Sequence, residues 1–201
     1  MTDSILYHEG SRRLQDAFDS RRISDRLEEK LARKTFTADD KTFIESVIYF
    51  FLATADEKGS PDCSFKGGPA GFVRVTGDSE IAFPDYDGNG MFKSLGNLSV
   101  NPNVGLLFID MHERPRRLRV NGSANVSRDD PLLGETVGAQ MIIRVTARAI
   151  FPNCPRYIPK LQLQEPSVYM PQAGCEPVEP AWKGFDMFKD AIHPRQPTWK
   201  G

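Results

Sequence analysis

The spacing of apolar residues changes along this chain. Between about Gly10 and Lys34, Leu14, Ala17 and Phe18, then Ile23, Leu27 and Leu31, recur at helical intervals among many charges. The spacing predicts one amphipathic helix, its apolar face laid on the body of the protein or on a partner. Thr37-Ala-Asp-Asp reads as a second helix start, with Thr37 as N-cap and Asp39 and Asp40 in the first turn. Phe43, Ile44 and Val47 then face inward.

From Tyr49 the period shortens. YFFLATAD is aromatic and β-branched and ends in the turn cluster DEKGSP; PDCSFKGG follows as a second strand, making a hairpin. Phe72-Val-Arg-Val and Ile81-Ala-Phe-Pro are a third and a fourth strand, separated by the turn TGDSE. VGLLFID, RRLRVNGSANV and MIIRVTARAIF continue the series; in the second of these, Leu118 and Val120 point inward and Arg117, Arg119 and Asn121 outward. Short strands at regular spacing predict a small β-barrel with flanking helices, an α+β chain that is mainly β. Three segments follow: a helical extension over 1–40, a barrel over 41–151, and a Pro-rich stretch over 152–201 that packs on the barrel or on a second subunit.

Between the fourth strand and VGLLFID lies DYDGNGMFKSLGNL. Gly88, Asn89 and Gly90 allow close approach of the backbone, and Lys93 and Ser94 open a helix. A first helical turn has unpaired N–H groups and a positive dipole end, which suits a phosphate. The spacing is neither GxGxxG nor a P-loop, so a plain strand-to-helix connection fits it as well.

Composition narrows the classes. The chain has 201 residues with 26 Lys plus Arg against 27 Asp plus Glu, so no basic excess points to nucleic acid or an anionic membrane. The three cysteines, Cys63, Cys154 and Cys175, have no metal-type spacing, and no metal is expected. The N-terminus lacks the apolar run of a signal peptide. The most apolar window, FIESVIYFFLATA, is too short to span a bilayer, so the expected location is the cytoplasm.

Three further groups could carry chemistry. On a strand, Ser64 and Lys66 share one face and Cys63 and Phe65 the other; a hydroxyl and an ammonium so placed could grip a phosphate or the polar edge of a ring, or be an ordinary polar face. Arg117 and Arg119 share a face and form either a solvated edge or an anion fork. Asn153-Cys-Pro-Arg-Tyr is dense in functional groups. Cys154 has no histidine nearby in sequence to activate it and reads more simply as structural, while Arg156 and Tyr157 could project toward a ligand.

The order of these segments resembles the pyridoxamine 5′-phosphate oxidase-like family of FMN-binding split barrels. The resemblance rests on a FLAT strand at Phe51–Thr54, G-x-P-x-x-S-x-K at Gly59–Lys66, a strand ending in Phe83 before Lys93-Ser94, NPNVGLLF at Asn101–Phe108 and RRLRVNGSA at Arg116–Ala124. It covers about Phe43 to Phe151, and FPNCPRYIPK is similar to a bacterial subgroup described only as probable FMN-dependent enzymes. The resemblance implies a homodimer with FMN between subunits. Ser64, Phe65 and Lys66 would line the flavin, Asn89, Gly90, Lys93 and Ser94 would meet the phosphate, and Arg117 would stand where the family commonly has a flavin-contacting Gln. It implies an oxidoreductase working by hydride transfer on an unidentified small molecule, with Cys154, Arg156 and Tyr157 as substrate contacts. The family's C-terminal Arg-x-His motif is missing from AIHPRQPTWKG, which argues against oxidation of vitamin B6 phosphates, and the NCPRY loop would fill the space where other members bind substrate. One alternative is a flavin- or haem-binding module without turnover, with His112 as the candidate haem ligand; another is an enzyme using a different flavin-like cofactor, such as a deazaflavin.

Overall fold

A computed structural model describes residues 4–192. The tail from His193 onward lies outside the described residues. The N-terminal region holds two helices, α1 (Glu9–Ala17) and α2 (Arg21–Leu31), where the sequence predicts one. The break falls at Asp19, whose φ of 49° is left-handed, a conformation that Asp tolerates better than most residues and that ends a helix. His8 caps α1 by accepting a hydrogen bond from the Gly10 N–H.

Helix α3 (Ala38–Ser46) starts as predicted. Thr37 and Asp40 form a reciprocal capping box, and Phe43 and Ile44 are buried. Asp40 is wholly buried and is held by the Arg33 guanidinium. Arg33 also pairs with Ile150 through both backbone groups, at 3.0 and 2.8 Å.

Seven antiparallel strands follow: β1 (Tyr49–Ala55), β2 (Pro61–Gly67), β3 (Arg74–Gly77), β4 (Glu80–Tyr86), β5 (Asn103–Asp110), β6 (Arg116–Ser127) and β7 (Ala139–Asn153). Their order, β2-β1-β5-β6-β7-β4-β3, leaves β2 and β3 as edges, so the sheet does not close on itself. Helix α4 (Lys93–Val100) lies between β4 and β5 in sequence and packs on β1, β2 and β6. Phe72 and Val73, predicted as strand, precede β3 as buried loop residues, and β4 runs on to Tyr86, past the predicted Pro84.

Alternation fixes the two faces of the sheet. In one cross-strand row, Lys66, Phe50, Phe108 and Leu118 point inward; in the next, Phe65, Phe51, Leu107 and Arg119 point outward. The Phe50 ring packs against Phe83, Phe108 and Phe72, at centroid distances of 5.0, 5.1 and 5.9 Å. Where the β6–β7 register shifts at Asn121 and Gly122, a Cβ on Gly122 would stand 2.3 Å from the Thr146 carbonyl oxygen, so only glycine fits. No helix of the described residues is long and apolar enough to cross a membrane.

Candidate cofactor pocket

A cavity of about 530 Å³ opens between β2, the end of β4, the 87–92 loop and the start of α4. Because β2 is an edge strand, its inward residues after the core row have no strand beyond them to fill the space. Asp62, Ser64 and Lys66 therefore face the cavity, in register with buried Thr54, Leu52 and Phe50. Across it, Phe92 adopts a left-handed φ of 47° and no side chain caps α4. The first turn of the helix thus meets the cavity with Lys93 and Ser94 and with N–H groups that lack a capping side chain.

Hydrogen bonds tie the two walls together. Ser94 Oγ lies 3.0 Å from Ser64 Oγ and 3.3 Å from Asp62 Oδ2. Lys66 Nζ stands 4.0 Å from Asp85 Oδ1. Burial pushes the Asp85 carboxyl up, and Lys66 offsets only part of this. Burial likewise pushes the neighbouring Tyr86 up to about 12. The loop is ordered by Asn89 Oδ1, which accepts from the Met91 N–H at 3.0 Å, and by Gly90 at a φ of 75° with open space where a Cβ would be. The C-terminal stretch reaches the rim: Lys183 Nζ donates to Asp87 at 2.9 Å and pairs with Glu179 at 3.2 Å, beside a 3-10 turn at Ala181–Gly184.

Of the predicted residues, Ser64, Phe65, Lys66, Asn89, Gly90, Lys93 and Ser94 all border this cavity. The Phe65 ring itself stacks on Tyr49 at 5.5 Å on the outward face. Arg117 is not among the lining residues. It follows the same alternation that sends Leu118 inward, and so it faces outward between Ile109 and Asn153. Its buried Nε and the buried Asn153 Oδ1 have no hydrogen-bond partner among the described residues. Cys154, Arg156 and Tyr157 do not line the cavity either, because the chain leaves β7 into an exposed loop where Tyr157 takes a φ of 69°. The NCPRY loop therefore does not fill the cavity of its own chain. Sequence reasoning missed Asp62, Asp85, Tyr86 and Gln140. The i, i+2 alternation from Ser64 and Lys66 signals Asp62; the others depend on β4 and β7 meeting across about sixty residues, which no local spacing reports.

The family profile of pyridoxamine 5′-phosphate oxidase matches residues 36–164. The chain belongs to the pyridoxamine 5′-phosphate oxidase family. No curated protein sequence matches the chain. Among solved structures it is similar to HupZ of Group A Streptococcus, with 20% identity over 58% of this chain and 93% of that one at a TM-score of 0.46. It is also similar to HutZ, the haem storage protein of Vibrio cholerae, with 19% identity over 57% and 92% at 0.43. A third is an FMN-binding protein of Syntrophomonas wolfei, with 14% identity over 70% and 97% at 0.45. Likenesses this distant carry no ligand across to this family member. Of the described histidines, His8 caps α1 and His112 holds Asp110 at 2.7 Å; neither lines the cavity. Among the described residues, no group of three or more His, Cys, Asp or Glu side chains is placed to hold a metal ion.

Proposed function

We propose that this chain is an FMN-dependent oxidoreductase acting on a small molecule, and that it works as a homodimer. The observation that carries the reading is the cavity, where Lys66 and Ser64 on β2 face Lys93, Ser94 and the uncapped start of α4. Its volume falls within the range of cofactor sites. Lys93, Ser94, the α4 N–H groups and the backbone at Asn89 and Gly90 would hold the phosphate, and Ser64 and Lys66 would meet the polar edge of the ring. Each charge-assisted contact of this kind contributes ~1.5–3 kcal/mol. When bound, the flavin supplies the hydride chemistry; the protein positions it and sets its electrostatics. Asp85 beside Lys66 tempers the positive charge at the ring end of the site.

The outward face supports the second subunit. Phe65 is 63% exposed there, Phe51 and Leu107 are half-buried, and the buried Nε of Arg117 has no partner among the described residues. Arg117 would reach the flavin only across such an interface. Arg156 and Tyr157, a few residues beyond Asn153, would orient an anionic substrate from the same side. Exposed, unpaired cysteines and near-neutral charge suit a reducing cytoplasm and a small-molecule rather than a nucleic-acid partner.

The test is titration of the purified protein with FMN, read by flavin absorbance. Uptake is expected, weakened at least ~100-fold by Lys66→Ala with Lys93→Ala. Protein that takes up no FMN overturns the reading. Bleaching of the bound flavin by NADH or NADPH supports an enzyme over a passive binder. A Soret band on haem titration without flavin uptake would establish the haem-binding alternative, for which His112, oriented by Asp110, is the one described histidine on a strand-end turn.

A further inference from the structure

The α1–α2 hairpin is built inside out. Its two helices meet through charge: Arg12 binds Asp25 at 2.6 Å and approaches Glu28 at 3.7 Å, and Arg21 binds Asp16 at 2.5 Å. Glu28 also accepts hydrogen bonds from Ser4 and from the Ile5 and Leu6 N–H groups. The buried side chain of α1 is Gln15. The apolar residues point away: Phe18 is 80% exposed, Leu14 63% and Ile23 56%, with Leu27 and Leu31 continuing the α2 stripe at intervals of four. The apolar spacing along 10–34 leaves two covers open, the chain's own body or a partner. Among the described residues, the chain's own body does not cover the stripe.

We propose that this hairpin is a clasp that closes on a second copy of the same chain. The inference rests on the homodimer reading above and extends it to a region outside the barrel. Three observations select a second copy. First, the hairpin carries six basic residues (Arg12, Arg13, Arg21, Arg22, Arg26, Lys30) and six acidic ones (Glu9, Asp16, Asp19, Asp25, Glu28, Glu29). Two copies therefore meet without net repulsion, whereas an anionic lipid surface would find no excess of positive charge. Second, the hairpin ends beside the outward row of the sheet. Arg33, just past α2, pairs with Ile150, and the next residue on β7, Phe151, lies in the outward row with Arg119. Third, the areas are complementary in need. The five side chains, 38–80% exposed, are too few to supply by themselves the ~800 Å² per partner of a stable interface. The outward aromatic face of the same chain, with Tyr49, Phe51 and Phe65, supplies the remainder.

The experiment is sedimentation velocity of the full chain and of Phe18→Glu/Leu27→Glu, with far-UV circular dichroism to check the barrel. Both positions are exposed, so the barrel signal should be kept. The wild type is expected as a dimer at micromolar concentration, and the double variant as a monomer, with association weakened at least ~100-fold. Phe18→Leu/Leu27→Met, which keeps the apolar face, should remain dimeric; if it is monomeric although folded, the clasp is not held by apolar contact and the proposal falls. A dimeric wild type with an equally dimeric double variant overturns the clasp and leaves the homodimer intact. A monomeric wild type overturns both, and co-sedimentation of that monomer with phosphatidylglycerol vesicles would assign the stripe to a lipid surface instead.

Discussion

The barrel and the N-terminal hairpin use the same residue types in opposite senses. In the barrel, phenylalanines and leucines lie at the centre and the arginines stand outside: Phe50, Phe83 and Phe108 are fully buried, while Arg117 and Arg119 face outward. In the hairpin, arginines and carboxylates fill the seam between helices, and Leu14, Phe18 and Ile23 face away. The difference shows that helical periodicity predicts that a face exists, not what covers it. A strand whose neighbours are fixed by hydrogen bonds must place its apolar row on the core; a helix pair joined by ion pairs can turn its stripe anywhere.

The largest loss is expected at Phe50, in the centre of the barrel. Phe50→Ala removes a ring that touches three others and should cost about 4 kcal/mol of barrel stability, measured by urea unfolding. Gly122→Ala should cost about 2–3 kcal/mol by the same measurement, since the Thr146 carbonyl cannot move without the sheet. Asp40, at the joint between the two regions, comes next. Burial alone would raise its carboxyl, but hydrogen bonds from Arg33 and Thr37 outweigh burial and hold it below the usual range. Its folded value thus lies below its unfolded one of about 3.9, so its contribution is full above that pH and is lost as the pH falls through the folded value. Asp40→Asn should cost about 2 kcal/mol at pH 7, and its deficit against the wild type should shrink below about pH 4. At the cavity rim, Lys183→Ala should leave stability nearly unchanged and weaken the proposed FMN binding about fivefold, by loosening the tie between the C-terminal stretch and the 87–92 loop. Smallest of all, Leu14→Ala should change the stability of the isolated subunit by less than about 0.5 kcal/mol.

Much of the fold can be read from the chain because its signals are local. The Thr37 capping box, the Asp56 turn that accepts from the Lys58 and Ser60 N–H groups, and the alternation through Leu118 and Val120 each lie within a few residues. Ser64 and Lys66 share the cavity face for the same reason. The rest is set by distant contacts. The helix break at Asp19 depends on a side chain tolerating a left-handed φ, which the surrounding apolar spacing masks. Phe72 and Val73 look like strand because they are buried and β-prone, yet they sit in the turn that brings the chain to β3. Arg117 shares charge but not direction with the two cavity lysines; alternation through Leu118 already turns it outward, and only the family resemblance sets it beside a flavin.

The strand order also has a consequence for how the chain reaches this state. Three pieces of the sheet are sequence-local: the β1–β2 hairpin, the β3–β4 hairpin and the β5-β6-β7 meander. Only two seams, β1 on β5 and β4 on β7, join segments some fifty to sixty residues apart. Closing them carries the loop entropy, so these two seams should set the folding rate, on the slow timescale of non-local sheets. The cavity lies between the two hairpins, one wall on β2 and another at the end of β4. Its two walls meet only where both seams are shut, so the cavity is a product of the whole sheet and not of either hairpin alone.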